Sequence, residues 1–457
     1  MVRCALPRVV AALSLAAAGC GGGSTTPKLG WGAAQLIGGG TDSDRDVVSG
    51  MIPQLAMNAT GSAFAVWQRS TAASSTIWVN HYDPSRGWGA AELVASGSDP
   101  ALASDAAGNA LLVWAGADRP PRLVQWRRFT PASGWGPATP VPIASDAAVA
   151  FSLAMTPGGD ALLVWTSTSD VWASGLSAAG VWGAPVRIGS ALDSGNVSAP
   201  QVVLDAGGDA AVVWVDWQAI APFGSSTLRG AHFVAGSGWR DAQTLGGGHQ
   251  VTAARLVGDL ASDAAIVWVP ISVVSGSPAF SRLTVADGWH DREAIGSLGA
   301  GMGPGQLAMG PNGTAVLALS PSAAPGAAAN SVTILRFAPA TSTWSAPVSL
   351  ALGADQSVSS VDLDVGSAGD ASVVWGEFGS ATRGTVWAAD VSAELKWGTP
   401  MPLHGAASAL ARCGPDLAYG GGYSPAVRLD ASGRAVAVWA EFDCSRWSVW
   451  ANALLPR

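Results

Sequence analysis

The chain has 457 residues, 49% hydrophobic and only 12% charged, and a formal net charge of −8. That composition excludes a disordered chain, no internal apolar run reaches membrane-span length, and the absence of a basic cluster excludes nucleic acid as a partner. With 58 Gly, 22 Trp and few charges to coat a helix surface, the residues favour strands and turns.

At the N-terminus, Arg3 and Arg8 precede the apolar run VVAALSLAAAGC, so residues 1–19 read as a secretory signal peptide. Residues 17–20 resemble the lipobox of bacterial lipoproteins, with Ala17 where Leu is the common residue. The resemblance implies cleavage before Cys20 and its lipidation, palmitate included. Residues 20–29, rich in Gly and Ser, then form a flexible tether. The residue after Cys20 is not Asp, which resembles lipoproteins sorted to the outer membrane. Export to the cell envelope is therefore expected, with the periplasm or secretion as the other destinations. Cys4 leaves with the signal peptide. Cys413 and Cys444 remain as an even pair in an oxidising compartment, and a disulfide between them is expected.

Beyond residue 30 one phrase recurs: Ala-x-x-Val-Trp, ending at Trp67, Trp114, Trp165, Trp214, Trp268, Trp375 and Trp439, with Leu319 in the sixth copy. Leu or Val lies eight places before each copy's alanine, and Gly two places before it in all but one. Asp or Asn often stands three residues ahead of that Gly, as in Asn58, Asp105, Asp205 and Asp430. Strand, turn and strand are therefore expected, with Asp or Asn bonding the turn backbone and Gly taking positive φ. A second series, mostly Trp-Gly, centres on Trp31, Trp88, Trp135, Trp182, Trp239, Trp289, Trp344 and Trp397. A further strand-like run between the two gives four short strands per module. The Val-Trp spacing runs from 47 residues (Trp67 to Trp114) to 64 (Trp375 to Trp439).

Four antiparallel strands at that period predict an all-β fold, a β-propeller of eight blades, with seven as the fallback because the sixth copy has lost its Trp. The last module lacks its Trp-Gly strand, while residues 30–37 are a Trp-Gly strand with nothing before it. A ring closed by the N-terminal strand accounts for both and leaves no free sheet edge. Residues 30–457 are thus expected to be one propeller domain and a monomer, the repeated tryptophans wedged between blades.

In such a ring the one–two and three–four turns share one face, here short and stereotyped. The two–three connections and blade crossings share the other and vary, the usual place for recognition on a rigid scaffold. Asp216, Trp217, Glu377, Asp416, Tyr423 and Glu441 are the candidate residues there. His81, His232, His249, His290 and His404 fall in separate modules without metal-ligand spacing, and no nucleophile or phosphate-loop motif appears, so no metal, cofactor or catalytic residue is assigned. The segment SDAAGNALLVW, 104–114, resembles the Asp box of sialidase-like, BNR-repeat-like propellers, although it lies between strands one and two and with different spacing. That resemblance implies architecture only. The expected function is a structural or binding module whose variable face engages an extracellular protein or glycan. The alternative is a glycoside hydrolase or lyase, which requires two carboxylates facing one another across about 5–9.5 Å.

Overall fold

The computed structural model describes residues 29–39, 51–117, 123–143, 150–192, 195–218, 225–246, 250–258, 264–271, 279–284, 288–290, 293–295, 305–320, 330–353, 356–379, 384–404, 421–442 and 446–456. These residues form antiparallel sheets and no helix.

Each sheet is a meander. In the first complete unit Gln54–Met57 pairs with Ala63–Ser70, which pairs with Ser75–Asp83, which takes Gly87–Trp88 and the start of Glu92–Ser104 along its outer side. The second strand is apolar without alternation, because neighbouring sheets cover both of its faces. Ala110–Gly116 and Ala161–Thr166 are buried along their whole length. The fourth strand is interrupted after its Trp: the next N–H donates to the third strand, Gly89 to His81 O at 2.9 Å and Gly136 to Arg128 O at 2.8 Å, before pairing resumes.

The one–two turns repeat one hydrogen-bond pattern. Asp105 N–H donates to Asn109 O at 3.0 Å, and Asp105 Oδ1 accepts the Asn109 N–H at 2.8 Å. Asn58, Asp205 and Asp430 do the same four residues along. The Gly three places after each of these acceptors has positive φ, for example +81° at Gly108, where a Cβ would strain the backbone.

The hydrophobic clusters lie between sheets, not in one central core. Phe64, Val66 and Ile77 pack with Ala110, Leu112 and Trp114 of the following unit. Ala63, Trp67 and Tyr82 of the first unit share a cluster with Val436, Val438 and Val449 of the last, and with Ile37. Hydrogen bonds join the same two units: Ala431 N–H to Ala59 O at 3.1 Å and Arg434 Nη2 to Thr60 O at 3.2 Å.

Leu29–Trp31 and Gln35–Gly39 both pair with the C-terminal strand Trp447–Pro456, Leu29 opposite Pro456 and Gln35 opposite Ala451. The sheet therefore begins at Leu29, inside the segment expected to be tether. The sixth unit carries four strands like its neighbours despite the loss of Trp. Leu319 is fully buried in the place of the tryptophan.

The two tryptophan series differ. Trp67, Trp114, Trp165, Trp214, Trp375 and Trp439 are at most 3% exposed, as wedges require. In the second series Trp31 is buried, but Trp88, Trp135, Trp182, Trp239, Trp289, Trp344 and Trp397 are only half-buried, because the outer strand has solvent on one side. The side chain of Trp268 lies outside the described residues. A third position emerges in the register: Trp78, Trp172, Trp387 and Trp450 stand directly opposite Trp67, Trp165, Trp375 and Trp439.

Candidate functional site

The second strand of each unit runs from the short-turn end of the molecule to the end that carries the variable connections. Two residues beyond its tryptophan the side chain returns to the same face of the strand, the face packed against a neighbouring sheet. Arg69, Asp216, Glu377 and Glu441 all occupy that position.

This placement corrects the reading of Asp216 as a surface group. Its side chain is fully buried, with the Trp214 Nε1–H donating to Oδ1 at 3.0 Å and Arg229 Nη1 3.7 Å from Oδ2. Arg229 also donates to Ser190 O of the preceding sheet at 2.9 Å and lies over the Trp214 ring at 5.7 Å. Burial pushes the Asp216 carboxyl above its ordinary pKa, opposed by the Arg229 charge and the indole hydrogen bond. The cluster ties two sheets together. Trp217, the next residue, points the other way and is 39% exposed.

Glu441 is also buried, against the expectation of a surface acid. Its Oε2 is 2.9 Å from His404 Nδ1, and the His404 ring lies on Trp450 with centroids 4.2 Å apart. The hydrogen bond to Glu441 raises the His404 pKa, against the lowering effect of burial. His404 stands seven residues after Trp397, where the other copies have Gly38, Ala95, Pro142, Gly189, Gly246, Gly296 and Ala351. A small residue is needed there in two of them: a Cβ on Gly38 or Gly189 would run into the indole of Trp67 or Trp214. An imidazole in that series was the sequence signal for the pair, and the module-by-module reading of histidines missed it.

Glu377 is half-buried at the end of its strand, opposite Thr385. Asp416, Cys413, Cys444 and Cys20 lie outside the described residues, as does the side chain of Tyr423, whose backbone pairs with Ala440. The described candidates are thus distributed over separate sheet junctions. Among the described residues no group of three or more His, Cys, Asp or Glu is placed to hold a metal. Asp105 and Asp205 each direct a carboxylate oxygen to their own turn backbone.

A cleft does open at the loop-bearing end, where the outer strand Gln35–Gly39 meets the first unit. Its volume is about 340 Å³, and Trp67, Trp78, Arg69, Met51 and Gly38 line it. The Trp78 indole is half-buried and its Nε1–H donates to Thr76 Oγ1 at 3.1 Å, which fixes the ring. Trp67, 1% exposed, closes the floor, so the half-buried Trp78 indole and the Arg69 guanidinium are the groups that can hold an apolar face and an anionic group together. None of Asp216, Glu377 and Glu441 lines it.

No family model matches the chain, and no curated protein matches it. Solved structures do. A puromycin-hydrolyzing peptidase from Mycobacterium tuberculosis is similar over 91% of this chain and 62% of its own, at 15% identity and a TM-score of 0.50. The β-propeller domain of the Trilobed protease from Pyrococcus furiosus is similar over 79% of this chain and 100% of its own, at 8% identity and TM-score 0.48. The Hadza microbial sialidase Hz136 is similar over 72% and 73%, at 12% identity and TM-score 0.38. At identities this low the likeness concerns the fold alone; successive antiparallel meanders packed face to face, the first against the last, are themselves the arrangement of a β-propeller.

Proposed function

We propose that the chain is an exported, lipid-anchored, monomeric binding module: an eight-bladed propeller that engages an extracellular glycan or protein at its loop-bearing end. Closure of the ring is supported by the pairing of Leu29–Trp31 with the C-terminal strand and by the cluster shared between first and last units. The observation that carries the binding role is the Trp67–Trp78–Arg69 cleft. Its shape and chemistry favour a sugar bearing a carboxylate, with the ring on an indole and the acid on Arg69. The enzymatic alternative has no such support, since the placed candidate carboxylates sit in separate sheet junctions. Anchoring rests on the sequence around Cys20, and a disulfide between Cys413 and Cys444 would tether the longest crossing.

A glycan array followed by titration tests the binding role. Uronic- or sialic-acid-containing oligosaccharides are expected to bind saturably to the purified chain, and Trp78→Ala and Arg69→Ala to weaken them at least tenfold. Binding that survives both substitutions removes the cleft as the site. Labelled palmitate incorporation lost on Cys20→Ser tests the anchor, and its absence from the wild-type chain refutes it.

A further inference from the structure

At the short-turn end, arginine side chains close several of the gaps between successive sheets. Arg128, on the third strand of its unit, reaches the next unit's turn and donates to Gly159 O at 3.2 Å and to Ala178 O. Arg336, at the same strand position four units on, donates to Gly369 O. Arg434 fills the corresponding gap between the last unit and the first, bonding Thr60 O at 3.2 Å. A Cβ on Gly61, Gly159 or Gly369 would meet a guanidinium nitrogen within 3.2 Å.

The equivalent residue is His81 in the first unit, Gly175 in the third and His232 in the fourth, and in the seventh it is an acid. The register places Asp390 opposite Ser372 as it places Arg128 opposite Leu111 and Arg336 opposite Val316. The turn glycine that such an arginine would reach is Gly433, and a Cβ there meets nothing within 4 Å. In place of the guanidinium is a cavity of about 490 Å³ that runs between Asp390 and Gly433, with Trp397 on its wall. The Ser372 hydroxyl donates to Asp390 Oδ1 at 2.7 Å; the other carboxylate oxygen has no hydrogen bond among the described residues. Asp370 also lines the cavity, but its Oδ1 accepts the Ala393 N–H at 3.0 Å, the turn-bracing role that Asp160 and Asp209 perform elsewhere.

We infer that this cavity is a binding site for a guanidinium group supplied by another molecule, which takes the place that Arg128 and Arg336 fill from within the chain. A guanidinium there pairs with Asp390 and donates to the Gly433 carbonyl, the acceptor used at the other junctions. The indole of Trp397 offers it a face. Lys396 is the one cation among the described residues that line the cavity, and its charge weakens the site. The ligand is either a small free guanidine or an arginine side chain of a peptide. This site is at the opposite end from the glycan cleft and stands or falls independently of it.

The test is a titration of the full chain with N-acetyl-arginine amide, its citrulline counterpart, and a short Arg-containing peptide, read by calorimetry or Trp fluorescence. The arginine amide is expected to saturate with a dissociation constant in the low millimolar range or tighter, and the citrulline compound to bind at least tenfold more weakly. Tighter binding of the peptide identifies a protein partner; equal binding identifies a free guanidine. Asp390→Asn is expected to lose at least tenfold in affinity, and Lys396→Ala to gain. Asp390→Arg, which rebuilds the internal contact, is expected to abolish binding while raising the melting temperature. Failure of the wild-type chain to saturate, equal binding of citrulline, or undiminished binding to Asp390→Asn overturns the inference.

Discussion

Trp31 gives the sharpest test of how the chain is held together. It lies on a three-residue strand at the start of the described chain, yet it is 3% exposed. It packs in one cluster with Val374, Val386, Val427, Trp439 and Leu454, while the Asn452 amide donates to Gly32 O beside it at 3.1 Å. Trp31→Ala removes an indole from a site walled by two strands of the preceding unit and three of its own sheet, where little collapse is available. The expected cost is about 3–5 kcal/mol. Unfolding entropy of about 2.1 cal/mol/K per residue over roughly 430 residues is about 0.9 kcal/mol/K, so the melting temperature falls by about 3–6 °C if the domain unfolds as one unit. Differential scanning calorimetry measures this, with Trp217→Ala as the control: Trp217 is 39% exposed and its loss is expected to cost under about 1 kcal/mol. A Trp31→Ala variant melting within a degree of wild type would show that the N-terminal strand is not part of the cooperative structure, and the argument for closure would fail with it.

Three further outcomes follow from the sheet junctions. Arg229→Met leaves the Asp216 carboxylate buried without its cation, at a cost of about 3 kcal/mol at neutral pH. The cost shrinks as pH falls through the raised Asp216 pKa, because the protonated acid no longer needs the cation; thermal melts at two pH values measure it. The His404–Glu441 pair raises the folded-state pKa of His404 above its ordinary value near 6.5. Its stabilisation is therefore fully present below 6.5 and is lost as pH rises through the folded value, so Glu441→Gln should erase that part of the pH–stability slope. Gly189→Val adds a good strand former, yet its side chain is aimed at the Trp214 indole. A loss of about 1–3 kcal/mol in a denaturant titration is expected, and a gain would mean that propensity outweighs packing.

The repeat was legible because three of its constraints are local. A second strand covered on both faces must be apolar throughout, so Ala-x-x-Val-Trp recurs. A tight turn needs a side-chain acceptor and a positive-φ glycine, so Asn58 and Gly61 recur as Asp105 and Gly108 or Asp430 and Gly433. The pairing of Leu29–Trp31 with the last strand was also readable, as a surplus at one end and a deficit at the other. What was not legible depends on cross-strand register. Trp78 and Trp450 follow their partners Trp67 and Trp439 at the same interval of 11 residues, but Trp172 follows Trp165 by 7 and Trp387 follows Trp375 by 12, so the position is invisible until strands are paired. Asp216 and Glu441 were expected on the variable connections, because the second strand was read as ending near its tryptophan, whereas the strands run on to Gln218 and Phe442. Their parity with Trp214 and Trp439, two residues back on the same face, carried the opposite information. His404 was read by its residue type and not by its place in a series that is otherwise Gly, Ala and one Pro.

Leu29 and Pro456 face one another across a single pair of strands. In a chain lacking residues 1–28 these two positions can therefore be joined by a few residues and new ends cut elsewhere, for instance at Ala132 in the exposed turn before Gly134. That cut moves the split sheet, three strands from one end and one from the other, from the last unit to the second. A circular permutant of this kind should fold, since every sheet junction keeps its residues and only the order of synthesis changes.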